Sequence, residues 1–373
     1  MNRWMLGLPF MVMLCLACAA WAGDDEAGKA KKPDTKKAPD LTELPTDDKA
    51  VAEELKKLGK DFKAFHTAHF AVLHNVNDKD VRAFSAAIEK TYRSNLNYTL
   101  SLDIDPKKPS KKLIIYYFAQ HPNYSDYSKT LGKGERPQSQ PGVFFPDLNR
   151  SMFYDFRNQD SFKKVREEAE AKIVELKKQL QGKVTPESRK GINQQIKEAQ
   201  AHANASGVQG GDHTEETVQH EVTHHVLWNV GLHNPKSFFA NPRWYAEGTA
   251  MMFETAGTGK ASNIGAVNKK RLADFRVLEK AGKLKDLKEF VSHPELFNNP
   301  ATVADAYSQA WALAHYLNRT KRPRIKGFVE AINARPEGFE AGPDKDLAVF
   351  EKAFGKLDEK WTRQWKDWMK NVR

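Results

Sequence analysis

The chain has 373 residues, with 59 lysines and arginines against 48 aspartates and glutamates, for a net charge of +11. That composition is globular rather than disordered or collagenous, and the length allows one large domain or two to three modest ones of about 100–200 residues each. Both cysteines, Cys15 and Cys18, lie near the start, which excludes a disulfide framework, a cysteine-ligated metal or iron–sulfur centre and a thiol nucleophile in the rest of the chain.

Asn2-Arg3 gives a short positive start, and Trp4 to Ala20 is almost wholly apolar. Ala20-Trp21-Ala22 then precedes the polar Gly23-Asp24-Asp25-Glu26. This order predicts a secretory signal peptide over 1–22, and hence an exported, periplasmic or extracellular protein. Pro9 interrupts the apolar run, which is short for a membrane anchor. A lipoprotein attached through Cys18 fits less well, because Cys15 stands three residues before it instead of leucine. No other apolar run is long enough to span, so no transmembrane segment is expected after cleavage. Cleavage removes one charge, Arg3, and lowers the net charge from +11 to +10. A basic exported protein can meet anionic envelope polymers. The charges are spread out, with no basic stripe interleaved with aromatics, so nucleic acid is not an expected partner.

Residues 23–46 mix Lys, Asp, Ala and Pro and read as a flexible linker. Leu55 and Leu58 suggest a short helix after it, within a linker-and-helix segment 23–60. Over 61–159 the pattern is that of a small α/β part. His69–His74 reads as a strand, and Val81, Phe84, Ile88 and Tyr92 take helical spacing across 79–98. Lys112–Phe118 is a β-branched and aromatic run, hence a buried strand. A short helix is expected over His121–Leu131. Gly142–Phe145 and Ser151–Tyr154 flank a turn and predict a hairpin. Residues 160–210 are rich in Lys, Glu, Gln and Ala. Phe162, Val165, Ala169, Ile173, Leu176 and Leu180 form one stripe, and Thr185-Pro186 supplies an N-cap and first helical residue for a second helix. This predicts an inserted helical hairpin. From 211 to 373 the pattern is mainly helical, and Trp361, Trp365 and Trp368 mark a terminal amphipathic helix docked on the body. The fold class is α+β: a small mixed sheet with helices, then a mainly helical half, with a cleft between them.

His220-Glu221-Val222-Thr223-His224 matches H-E-x-x-H. Asp212 and Glu215 offer a capping box for its helix, and Val218, Val222, Val226 and Val230 recur every four residues. Histidines four apart share a face, about 5–6 Å between Cβ atoms, and can converge on one Zn²⁺. Glu221 sits rotated off that face, where a base belongs rather than a ligand. A second helix is expected over 241–254, capped by Asn241, begun at Pro242 and ended by Gly257. Glu247 lies on its apolar side and needs a partner there, either a metal or a buried cation. Gly248 is expected to let this helix approach the motif helix closely.

The H-E-x-x-H motif followed by Pro242-Arg243-Trp244-Tyr245-Ala246-Glu247-Gly248-Thr249-Ala250 resembles the gluzincin zinc metallopeptidases, most closely the bacterial peptidase-MA-like family of exported proteins. The resemblance spans about 110–320 apart from the helical insertion. It implies a zincin-like helical half and Zn²⁺ held by His220, His224 and Glu247. It also implies Glu221 as general base and a peptide or protein as substrate. Such families commonly place an oxyanion-stabilising tyrosine on a later helix. Of Tyr307 and Tyr316, which face opposite ways nine residues apart, Tyr307 matches that position. His225 is turned off the ligand face and is taken as structural, and His233 is a further candidate. Gly142–Phe145 is expected to be the edge on which a substrate backbone pairs. Related aminopeptidases carry a glutamate where this chain has Phe145, which points to an endopeptidase. The rival expectation is a non-catalytic zinc-binding or envelope-associated scaffold on the same fold.

Overall fold

The computed structural model describes residues 38–255, 265–339 and 342–373. The expected signal peptide, Cys15 and Cys18, most of the linker and Gly257 lie outside the described residues. The fold is α+β, a five-stranded sheet in the N-terminal part followed by a mainly helical half.

The strands are β1 (Lys63–His66), β2 (Phe70–His74), β3 (Leu113–Phe118), β4 (Gly142–Phe145) and β5 (Arg150–Tyr154), in the spatial order β1-β2-β3-β5-β4. β2, β3 and β5 run parallel, and β1 and β4 close the two edges antiparallel. Alternate residues of the inner strands face opposite ways. Phe70, Val72, Leu113, Ile115, Tyr117 and Phe153 join the large core that continues into the helical half. Ala71, Leu73, Ile114, Tyr116, Phe118, Met152 and Tyr154 form a second core, on which helices α1 (Asp48–Leu58) and α3 (His121–Thr130) pack with Val51, Tyr124 and Tyr127. Burial on both faces is why these strands read as unbroken apolar runs. β1 had no sequence signal, because it is short and its residues are exposed or half-buried.

Helix α2 (Asp78–Ser101) lies on the first face beside a much longer helix. α4 (Asp160–Gln181) and α5 (Pro186–Val230) form the expected hairpin, and the Thr185 side chain caps α5 by accepting from the Ser188 N–H. Here one expectation needs correcting. α5 does not stop near 210 for a new helix to begin at Asp212; it runs unbroken for 45 residues and carries the H-E-x-x-H motif itself. Position 212 is therefore helix interior. Tertiary packing overrides the weak cap signal: a side chain at Gly210 would meet the backbone of Arg157 at 3.1 Å, so the helix is held there against the segment that follows β5. The helix ends at Gly231, whose φ of 83° is the left-handed conformation glycine tolerates.

The segment before α1 is a second correction. Residues 40–46 are not a free linker: Leu44 is 2% exposed, its N–H donates to Ala68 O, and Pro45 O accepts from Lys112 N–H. One leucine and two backbone bonds are enough to dock a polar stretch.

The helical half comprises α6 (Arg243–Met251), α7 (Lys269–Lys280), α8 (Leu287–Ser292), α9 (Val303–Thr320), α10 (Arg322–Asn333), α11 (Pro343–Phe354) and α12 (Glu359–Lys370). α12 docks as expected: Trp365 is fully buried on Phe275, and Trp361 packs on Phe350 and Tyr316. Among the described residues no helix is long and apolar enough to cross a membrane.

Candidate metal centre

α5 passes between the sheet edge and the helical half, and its residues divide by face. Val218, Val222 and Val226 enter the large core. His220 and His224, one turn apart, face α6, whose Glu247 is 3% exposed. His220 Nε2 lies 3.1 Å from Glu247 Oε2, His224 Nε2 lies 3.4 Å from the same oxygen, and the two nitrogens are 3.2 Å apart. A tetrahedral Zn²⁺ with ligands at about 2.0–2.1 Å separates its ligand atoms by about 3.3 Å. The triangle has that size and an N₂O donor set, so this buried group can hold a metal ion.

The charges around the triangle are arranged as a relay of pairs. Glu247 Oε1 takes the Arg243 guanidinium at 3.1 Å, which leaves Oε2 for the histidines. Of the two partners expected for Glu247, the cation is present as half-buried Arg243, and the triangle is a group that could hold the metal. Burial would raise the Glu247 carboxyl, but Arg243 and the two imidazoles outweigh it and hold it well below its usual range. His220 Nδ1–H donates to Glu254 Oε1 at 3.1 Å. Glu254 in turn accepts from Arg271 and Asn268. Burial opposes its ionisation, yet His220 and Arg271 bring the Glu254 carboxyl down to about 2. Burial also opposes charge on His220, and Glu247 and Glu254 override it, raising His220 to about 10. A carboxylate on the far nitrogen fixes which ring nitrogen of a ligand histidine faces inward. Sequence reasoning passed over Glu254: the helix expected to run to 254 ends at Met251, and Glu254 lies in the turn that follows, where no periodicity marks it.

Glu221 lies outside the triangle and is tied to the sheet, where its Oε2 accepts from the Phe144 N–H of β4 at 2.9 Å. Tyr307, near the start of α9, has its ring 6.2 Å from that of His220. Burial, reinforced by the Glu247 carboxylate, raises its phenol well above the usual range, so it remains a donor. Tyr316 is instead packed against Trp361 and Trp368, away from the centre. His225 is buried, stacks on Phe144 and shares a hydrogen bond with Ser151 Oγ, and burial lowers it to about 3. His233 is fully buried, with its ring 6.0 Å from that of His224, and does not join the ligand triangle.

Two local expectations around α6 are corrected. Asn241 does not cap it: the helix starts at Arg243 after Pro242. Asn241 Oδ1 accepts from Asn234 N–H, and its Nδ2 donates to the Asn234 and Ser237 carbonyls. Asn234 also donates to Ile332 O and Arg335 O, while Arg335 donates to Ala240 O and pairs with buried Asp346. The asparagine serves to lock the loop joining α5 to α6 because that loop is buried and its backbone needs partners. Gly248, for its part, brings α6 close to α9 and not to α5: a Cβ there would lie 2.7 Å from Ala310 O.

Residues 215–337, which include both motif histidines, Glu247 and Tyr307, match a family model described as a protein of unknown function (DUF1570). No curated protein and no solved structure matches the chain.

Proposed function

We propose that the chain is an exported zinc-dependent endopeptidase. The observation that carries this reading is a division of labour among four side chains. Three donor atoms form a metal-sized triangle, and the carboxylate next in sequence to His220 is not one of them and is tied to an edge strand. His220, His224 and Glu247 would hold the ion. Zn²⁺ at these ligands supplies Lewis-acid polarisation of a carbonyl oxygen and lowers the pKa of water. Glu221 then acts as the base: its carboxylate accepts the proton of the attacking water and returns it to the leaving amine nitrogen. The Phe144 amide fixes the Glu221 carboxylate for that transfer through Oε2. Tyr307, half-buried and held protonated, donates from Oη to the substrate carbonyl oxygen as negative charge builds there. β4, at the sheet edge, offers the backbone on which an extended peptide pairs.

The test pairs two variants with the wild type. His220→Ala should lose bound zinc, measured by elemental analysis; undiminished zinc refutes the ligand set. Glu221→Gln should keep zinc and lose cleavage of a peptide library; near-normal cleavage refutes the base assignment. Zinc in the wild type with no cleavage of any peptide moves the reading to a non-catalytic binding protein.

A further inference from the structure

The side of α5 that carries Glu221 leads into a second feature. Glu221, His225 and Trp228 follow a 4-then-3 spacing and so share one stripe. Phe144 spans all three, its amide on Glu221, its ring stacked on His225 and its ring centroid 6.2 Å from that of Trp228. Where the stripe ends, a cavity of about 530 Å³ opens between the β4–β5 turn, the end of α5 and the loop before α6. Its apolar walls are Pro146, Trp228, Pro235 and Phe239, and Phe239 is 73% exposed. Lys133 lines it too but is neutralised by Asp147 and lies over the Phe145 ring, which leaves Lys236 as a rim cation.

The backbone beside the cavity has the matching periodicity. Pro141 O accepts from Tyr154 N–H, so residues 143 and 145 also turn their backbone groups toward β5. Gly142 and Phe144 turn theirs away from β5; the Phe144 N–H is taken by Glu221 Oε2, and the Gly142 groups and the Phe144 carbonyl face the edge. Trp228 is seven residues beyond Glu221, about 10 Å along the helix, which is about three residues of extended peptide.

We propose that this cavity is a specificity pocket for a large apolar or aromatic side chain of a peptide paired on β4, two to three residues to one side of the bond that faces Glu221. The inference rests on the peptidase reading for its substrate class. Its size suits one such side chain and neighbouring backbone. The rim lysine disfavours a basic residue there.

The experiment uses the zinc-loaded Glu221→Gln protein and fluorescein-labelled Gly/Ser/Ala decapeptides. Phe, Leu, Lys or Gly is placed at each position in turn, and binding is read by anisotropy. Phe or Leu at one position should tighten binding about tenfold or more over Gly, and Lys there should bind more weakly than Gly. Phe239→Asp, at an exposed site that does not threaten the fold, should abolish the Phe preference and leave the Gly peptide unaffected; Trp228→Ala should do the same. Equal binding at every position, no binding at all, or a preference that survives Phe239→Asp overturns the pocket. The two readings separate when the wild type is assayed with the same peptides. Cleavage without preference sinks the pocket alone. A Phe preference without cleavage sinks the peptidase reading alone.

Discussion

A methyl group at position 248 has nowhere to go. Built on the observed backbone, it lies 2.7 Å from Ala310 O and 2.8 Å from Ala314 Cβ, whereas ordinary contact begins at 3.4 Å. Gly248→Ala therefore forces α6 and α9 apart by about 0.7 Å, because close-packed helices have no slack to absorb it. Glu247 is the preceding residue and moves with α6, while ligand positions tolerate about 0.2 Å. Overpacking of this kind costs about 1–3 kcal/mol, and the gain in helix propensity returns about 1 kcal/mol. The net expectation is destabilisation of up to about 2 kcal/mol, together with zinc affinity weakened about tenfold or more, the scale of a disturbed ligand support. Gly191→Ala is the control. It lies in α5 with nothing within 4 Å of its Cβ position, so it should stabilise by about 0.5–1 kcal/mol and leave zinc untouched. Urea unfolding gives the first quantity, and competition against a chromophoric chelator gives the second. If Gly248→Ala stabilises as Gly191→Ala does and binds zinc normally, the argument from helix contact is wrong.

Three further outcomes follow from the same geometry. Glu254→Gln should weaken zinc binding about 10- to 100-fold by removing the carboxylate behind His220; an unchanged affinity would make that contact incidental. Arg335→Ala strands Asp346, which is 1% exposed, and should cost about 3–5 kcal/mol at pH 7 by urea titration. Burial already raises Asp346, and without the arginine its folded pKa rises further. A raised carboxyl favours the fold at low pH and loses that advantage as pH rises. The penalty should therefore shrink toward pH 5, and a pH-independent penalty would contradict the assignment. Burial raises the Tyr245 and Tyr307 phenols well above their usual range. The folded state then keeps protons the unfolded chain releases, so their contribution to stability is complete below about pH 10 and is lost above it. Tyr307→Phe should leave the tyrosinate absorbance of the folded protein unchanged up to about pH 11; the loss of a group titrating below that would refute the raised phenol.

Local pattern was a good guide wherever one residue type at one spacing has a single physical use. Strands buried on both faces declare themselves as apolar runs, as β2 and β3 do, and the α4–α5 hairpin is announced by its stripe and by Thr185-Pro186. The trio His220, His224 and Glu247 was legible too. A helical i,i+4 pair must converge, and a glutamate among Trp244, Ala246 and Ala250 must find a partner. Cap signals misled at Asp212 and Asn241. An aspartate or asparagine hydrogen-bonds local backbone equally well in a turn, a loop or a helix start, and tertiary packing chose among them.

What the sequence determined by itself is therefore the α+β class, most of the elements and the identity of the residues able to bind metal, because these follow from periodicity and side-chain chemistry within a few turns. What only the tertiary structure decided are the partners: Glu254 behind His220, Arg243 on the free oxygen of Glu247, Phe144 on Glu221, and α9 rather than α5 against Gly248. Apart from Arg243 on its own helix, each joins segments far apart in the chain. Such pairings are set by how the elements close over one core, and no spacing along the sequence encodes them.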